Sequence, residues 1–394
     1  MNQPIKIALP LLAAACFLFP RSDNLRAASA QSLKEISSPV AEQSGEQDAP
    51  ADIGDKLKAM AQYLEKACSE LGFSGVVLVA KGDKIVLHQS CGWADQEKTS
   101  KIKLDTKFCI ASITKQFTAA AILKLQEQGL LNVNDTIGKF FKNIPGDKTK
   151  ITLHQLLTHT SGLAQNYAAD GILDRDDAIK TILEKPLKNP PGERFGYSND
   201  GYNLLAAIVE IVSGKPYEAF LRQNLLTPAG MEQTCFWGEP QLKEPLAAAY
   251  MQKKLPDDIK QPNWGFRGAT GMFSTAADLV KWYRALLTDK VLNKNSTGKL
   301  FSPYAPTSAG DYTYGWFISK SKNGGDVLWT AGSEDFGHNG IIKAYTDGTL
   351  IIVVTNSGDI SGVPARSIVS AELERILFPE DMNPANPASA EKKQ

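Results

Sequence analysis

Apolar residues return three and four positions apart between Ile113 and Leu125, through Phe117, Ala120 and Ala121, while Gln116, Lys124, Glu127 and Gln128 fall on the other side. That spacing predicts a helix that opens at Ser112 and is stopped by Gly129. Ile53, Leu57, Met60, Leu64 and Ala67 space an earlier amphipathic helix over 53–71. Between the two lie β-rich runs at 76–80 and 84–88, and Gly82-Asp83 reads as the tight turn of a hairpin.

Beyond the Ser112 helix the pattern stays mainly helical to about residue 256. A short helix at 151–157 ends in the turn-rich stretch Thr158-His159-Thr160-Ser161-Gly162-Leu163. Amphipathic helices at 199–212 and 217–226 are separated by Ser213-Gly214-Lys215-Pro216. One more helix, 275–287, precedes a return of strand character at 312–318, 326–330, 340–345 and 350–355, with Thr346-Asp347-Gly348 turning between the last two. A closing helix over about 363–377 leads into a Pro/Asn/Ala-rich tail, 379–394, expected to be disordered. Strands at both ends with helices between them predict an α+β fold: one sheet assembled from distant parts of a 52–378 domain, with a helical region, about 114–260, inserted.

Charge changes the picture mainly by exclusion. Lys plus Arg and Asp plus Glu are 43 each, so no global field draws the chain to nucleic acid, and a small-molecule or peptide substrate is expected. Lys6, the apolar run from Ile7 to Phe19 and Ala28-Ser29-Ala30 predict a signal peptide over 1–30 and export to the periplasm or beyond. Lipoprotein processing at Cys16 is the alternative. Residues 31–51 read as a flexible tether, compatible with loose association at the envelope. Cys68, Cys91, Cys109 and Cys235 remain in the mature chain; they read as small buried hydrophobes, with one or two disulfides open to them. No Cys/His cluster occurs and His154 and His159 are five apart, so no metal is expected. Trp264, Trp282, Trp316 and Trp329 are read as core or pocket wall rather than a cofactor box.

The candidate chemistry starts at the helix opening. Ser112 and Lys115 are three apart, so on a helix they share a face and the ammonium comes within reach of the hydroxyl. Ser-x-x-Lys occurs five times in the chain, but only this match opens a long apolar-periodic helix. Tyr197-Ser198-Asn199 is the one Tyr-x-Asn, and His338-Asn339-Gly340 the one His-x-Gly. Neither a GxSxG elbow nor a phosphate-binding glycine loop is present.

With these three elements in this order, the sequence resembles the serine β-lactamase and penicillin-binding-protein superfamily. It is most similar to the branch of class C β-lactamases, D-Ala-D-Ala carboxypeptidases, D-amino-acid peptidases and esterases. The stretches 156–163, 268–274 and 314–316 look like that family too, and the resemblance spans about 53–377. It implies an antiparallel sheet flanked by terminal helices, an inserted helical domain, and a site in the groove between them. It also implies that Ser112 is acylated, that Lys115 and Tyr197 share the proton transfers, and that Asn199 binds the substrate amide. His338, Asn339 and Gly340 would begin the strand beside the substrate, and the N–H groups of Ser112 and Ile341 would form the oxyanion hole. No organic cofactor is implied.

A histidine at the position where class A enzymes carry lysine is largely uncharged at neutral pH, which weakens attraction for a substrate carboxylate. The resulting expectation is an exported serine hydrolase acting on a D-amino-acid-containing peptide or amide. A carboxylic ester, then a β-lactam, come next as substrates. A penicillin-binding sensor that acylates without turnover is the reading from a different class.

Overall fold

The computed structural model describes residues 51–379 except 241, 243–244, 249–260 and 322–323. The expected signal peptide with Cys16, the stretch expected to be a tether up to residue 50 and the tail from 380 lie outside the described residues, as does the Ile53 side chain.

Helix α1 (Ala51–Glu70) leads into strands β1 (Gly75–Lys81) and β2 (Lys84–Cys91), joined at Gly82 and Asp83 as expected. Strand β3 (Phe108–Cys109) precedes a 3-10 turn, Ala111–Ile113, and helix α2 (Thr114–Glu127). Next come α3 (Leu153–Leu157), α4 (Arg175–Glu184), α5 (Asn199–Ser213) and α6 (Tyr217–Leu221). The expected helix over 217–226 is interrupted: its second half, Arg222–Leu226, widens into a π turn. Strands β4 (Cys235–Phe236) and β5 (Met272–Ser274) and helices α7 (Ala276–Leu286) and α8 (Lys294–Phe301) follow. The chain then runs through β6 (Ala305–Thr307), β7 (Gly310–Tyr312), β8 (Phe317–Lys320), β9 (Asp326–Ser333), β10 (Asn339–Tyr345) and β11 (Thr349–Thr355) to helix α9 (Ala365–Leu377).

Among the described residues eight strands form one antiparallel sheet in the order β2-β1-β11-β10-β9-β8-β7-β6. The first and last strands of this sheet in chain order, β1 and β11, lie side by side, one strand in from the β2 edge, with Val77 opposite Val353. Strand β11 is buried along its whole length because both sheet faces are covered, which is why 350–354 reads as an unbroken apolar run. Met60, Leu64 and Ala67 of α1 and Val369 and Leu373 of α9 pack with Val77, Val79, Ile351 and Val353 on one face. Val76, Leu78, Ile352 and Val354 belong to the core on the other, with Ile113 and Phe117 of the Ser112 segment.

Three expectations are corrected by the packing. Helix α2 is buried on every side over 114–123 rather than amphipathic, with Lys124, Gln126 and Glu127 of its last turn half-buried, and Gln116, placed on its polar side, accepts a hydrogen bond from Trp282 Nε1 at 2.7 Å. The strand expected over 312–318 is split in two by a turn at Gly315, whose φ is +87° and where a Cβ would stand 2.7 Å from Gln116 N. Cys68 and Cys91 are not a pair of buried hydrophobes but a disulfide fastening α1 to β2. Closing that 23-residue loop restricts the unfolded chain by about 3 kcal/mol. Cys109 and Cys235 are free and buried, as expected. So are Trp264, Trp282 and Trp316, while Trp329 is half-buried and stacks on Phe317.

Candidate active site

Ser112 sits where the chain leaves β3 for α2. Ala111 before it holds a φ of +48°, the left-handed region that a non-glycine residue occupies only under constraint. Part of that constraint is a small second sheet, β3-β5-β4, in which Cys109 pairs with Phe273, followed by Ile110 N donating to Met272 O at 2.9 Å. The same pairing holds the 268–271 turn over α2, so that Ala269 O accepts from Lys115 Nζ at 3.1 Å.

Lys115 is 1% exposed. Its Nζ lies 3.1 Å from Ser112 Oγ, donates to Asn199 Oδ1 at 2.7 Å, and stands 4.7 Å from the centre of the Tyr197 ring. Desolvation lowers its pKa to about 7, against a smaller opposing pull from Glu334, so near neutral pH a good part of it is a free amine. Tyr197 OH donates to Ser112 Oγ at 2.7 Å, and burial pushes its pKa well up, so it stays a phenol. The two roles are thereby separated: Lys115 can accept the serine proton and Tyr197 can supply one.

Tyr197 and Asn199 owe their positions to the start of α5. Ser198 caps that helix, accepting from Gly201 N at 3.1 Å and donating to Ala164 O at 2.9 Å. Its own N–H donates to His159 Nδ1 at 3.1 Å, and the His159 ring lies 4.2 Å from that of Tyr197. Burial, and secondarily Lys115, hold the His159 imidazole neutral. The 158–163 loop is therefore the seat of Tyr197, with His159 O accepting from Gly196 N and Gly162 O from Lys188 N. Ser161 in it is buried and accepts from Leu163 N.

Ser112, Lys115, Tyr197 and Asn199 are thus brought together, whereas His338, Asn339, Gly340 and Ile341 are not. Strand β10 is interior, paired with β9 on one edge and β11 on the other, so the Ile341 N–H belongs to a ladder and is not free for an oxyanion. The His338 ring is fully buried, accepting from Cys109 N at 2.9 Å through Nδ1 and reaching Ala248 O at 3.1 Å through Nε2. Burial lowers its pKa to about 4. Asn339 ties strand to helix: it donates to Gly358 O and accepts from Arg366 N in the first turn of α9. Gly340 lies beneath Ile113 and Val354. His338→Asn is accordingly expected to cost about 1–3 kcal/mol of stability by orphaning the buried Cys109 N–H, without shifting the pH profile of activity between 6 and 8. Thermal unfolding and a pH–rate series check the two halves.

The strand beside Ser112 is β9. Partners of β8 end at Trp329, leaving 330–333 without a neighbour on that edge among the described residues. A Cβ on Gly332 would stand 2.4 Å from Ile110 O and 2.6 Å from Ser112 N. Glu334 N donates to His338 O on the β10 side, so by the alternation of strand N–H groups that of Ser333 points to the open edge. Ser112 N–H and Ser333 N–H are the pair placed to face one oxyanion. Sequence reasoning missed Thr330-Ala331-Gly332-Ser333, and the signal was strand order: the last two strands form a hairpin buried in the sheet, so the open edge falls to the strand before them.

A lysine-activated serine facing a strand edge, between an antiparallel sheet and a helical lobe, defines a serine acyl hydrolase. The chain belongs to the Beta-lactamase family, whose family model matches residues 58–371. It is 29% identical over 366 residues to penicillin-binding protein 4* of Bacillus subtilis (strain 168), covering 86% of this chain and 80% of that protein. The crystal structure of a penicillin-binding protein from Bacillus halodurans superposes with a TM-score of 0.68 at 27% identity, over 82% of this chain and 99% of that one. The D-amino acid amidase from Ochrobactrum anthropi SV3 shares the fold at 22% identity, with a TM-score of 0.68 over 83% of this chain and 98% of its own.

Proposed function

We propose that the protein is an exported hydrolase that forms an acyl-enzyme on Ser112 and cleaves amide bonds of peptides or amides containing a D-amino acid. The observation that carries the reading is the buried Lys115 amine, its pKa lowered to about 7, at 3.1 Å from Ser112 Oγ. Ser112 Oγ attacks the carbonyl carbon as its proton passes to Lys115 Nζ. The carbonyl oxygen becomes an anion between the N–H groups of Ser112 and Ser333. As the C–N bond breaks, the leaving nitrogen takes a proton from Tyr197 OH, which recovers one from the Lys115 ammonium. Water then repeats the sequence on the ester, giving the acid and free Ser112.

The names of the relatives, penicillin-binding protein and D-amino acid amidase, support a D-configured substrate. The Cys68–Cys91 disulfide supports an oxidising compartment. Turnover of matched D- and L-alanine p-nitroanilides by the mature protein tests the reading. A D-over-L preference in kcat/KM of about tenfold or more is expected for a pocket reading one stereocentre. Equal rates, or an L preference, contradict it.

A further inference from the structure

One buried group at the site has no place in that chemistry. Glu334 directly follows the oxyanion residue Ser333, and by strand alternation its side chain lies on the face of Gly332, the face that abuts Ser112. The residue is half-buried, but its Oε1 is closed to solvent and has no hydrogen-bond partner among the described residues. Thr270 faces it and partly favours its charge, yet the Thr270 hydroxyl also completes no hydrogen bond with protein. Its charge acts on Lys115, on Tyr197 and on the half-buried Tyr167 phenol, so it looks into the reaction space.

The groups around Glu334 do not neutralise it. Among the described residues Lys115 is the one cation acting on it, while Asp335 and Asp170 add like charge. Arg366 donates to the Ser333 hydroxyl, which alternation puts on the opposite face of the strand. Among the described residues the carboxyl at the acyl end of the oxyanion strand is unpaired, with no hydrogen-bonded counter-ion.

Building on the hydrolase reading above, we propose that Glu334 is the specificity-determining residue of the site, its carboxylate pairing with the free α-ammonium of the residue that acylates Ser112. The protein then releases N-terminal residues or amino-acid amides, and a blocked amine is the disfavoured substrate. Burial and like charge push the Glu334 pKa up to about 8, as befits a carboxyl lacking a cation until the substrate brings one.

The test compares D-alanine p-nitroanilide with its N-acetyl counterpart, in wild type and in Glu334→Gln, which keeps the shape of the side chain and removes its charge. Wild type is expected to favour the free amine, and the ratio of the two kcat/KM values is expected to fall about tenfold to a hundredfold in the variant, mostly through KM. A wild-type preference for the N-acetyl substrate overturns the proposal. So does a variant that slows both equally, because that is the mark of an effect through Lys115 alone. If the wild type turns over neither anilide and no reagent acylates Ser112, the hydrolase reading fails and this inference with it. Turnover with an unchanged ratio defeats the inference alone.

Discussion

Lys115→Met is expected to lower kcat/KM by about 10²- to 10⁴-fold, the usual contribution of a positioned proton acceptor. Methionine nearly fills the volume of the lysine stem, so the loss reports the amine rather than the packing. The pH profile carries the sharper information. Lys115 works as the neutral amine and burial lowers its pKa to about 7, so wild-type kcat/KM for an N-acetyl substrate, which does not call on the Glu334 carboxylate, should climb roughly tenfold per pH unit below 7 and level off above it. Ionisation of Glu334, the charged group acting on it, shifts that midpoint upward. In Lys115→Met the limb should vanish along with the rate. A variant that retains the limb would move the base elsewhere, and His338, held at about 4, is not available to supply it.

Gly332→Ala is the second large effect. Its new methyl would need the space of Ile110 O at 2.4 Å and Ser112 N at 2.6 Å, both backbone atoms that no rotamer change can clear. Strand β9 must move away from Ser112 and the two oxyanion N–H groups separate. A fall in kcat of about 10²- to 10³-fold is expected. Overpacking costs about 1–3 kcal/mol of stability in addition. Gly340→Ala is the informative companion, because there the methyl meets the Ile113 and Val354 side chains and Val353 O, all at 3.3 Å, and shifts of a few tenths of an ångström relieve that. The structure ranks Gly332 far above Gly340 in its effect on rate. The reverse order, read from kcat and thermal unfolding together, would return the site strand to His338-Asn339-Gly340.

That contrast marks where the sequence is legible. Ser112, Lys115, Tyr197 and Asn199 can be found because helix periodicity and short spacings are local, and each lies at the start of a helix. The strand that completes the site cannot be found in the same way. His338-Asn339-Gly340 has suitable composition, but which strand has an open edge depends on β1 pairing with β11 across the length of the chain. The burial of α2 over 114–123 escapes notice for a related reason: the partners of its polar side chains, Trp282 for Gln116 and Asn199 and Ala269 for Lys115, lie far off in sequence. The Cys68–Cys91 bridge depends on α1 folding back over β2, which no local pattern announces.

Whether Ser112 forms an acyl-enzyme and releases it is read most directly from intact mass, following the wild-type protein and Ser112→Ala after a stoichiometric fluorescent penicillin and, separately, a short-chain p-nitrophenyl ester. An adduct of acyl mass is expected on the wild type, mapping to Ser112 and decaying as product appears, with none on the variant. An adduct of the same mass on Ser112→Ala, formed at the wild-type rate, would contradict that expectation.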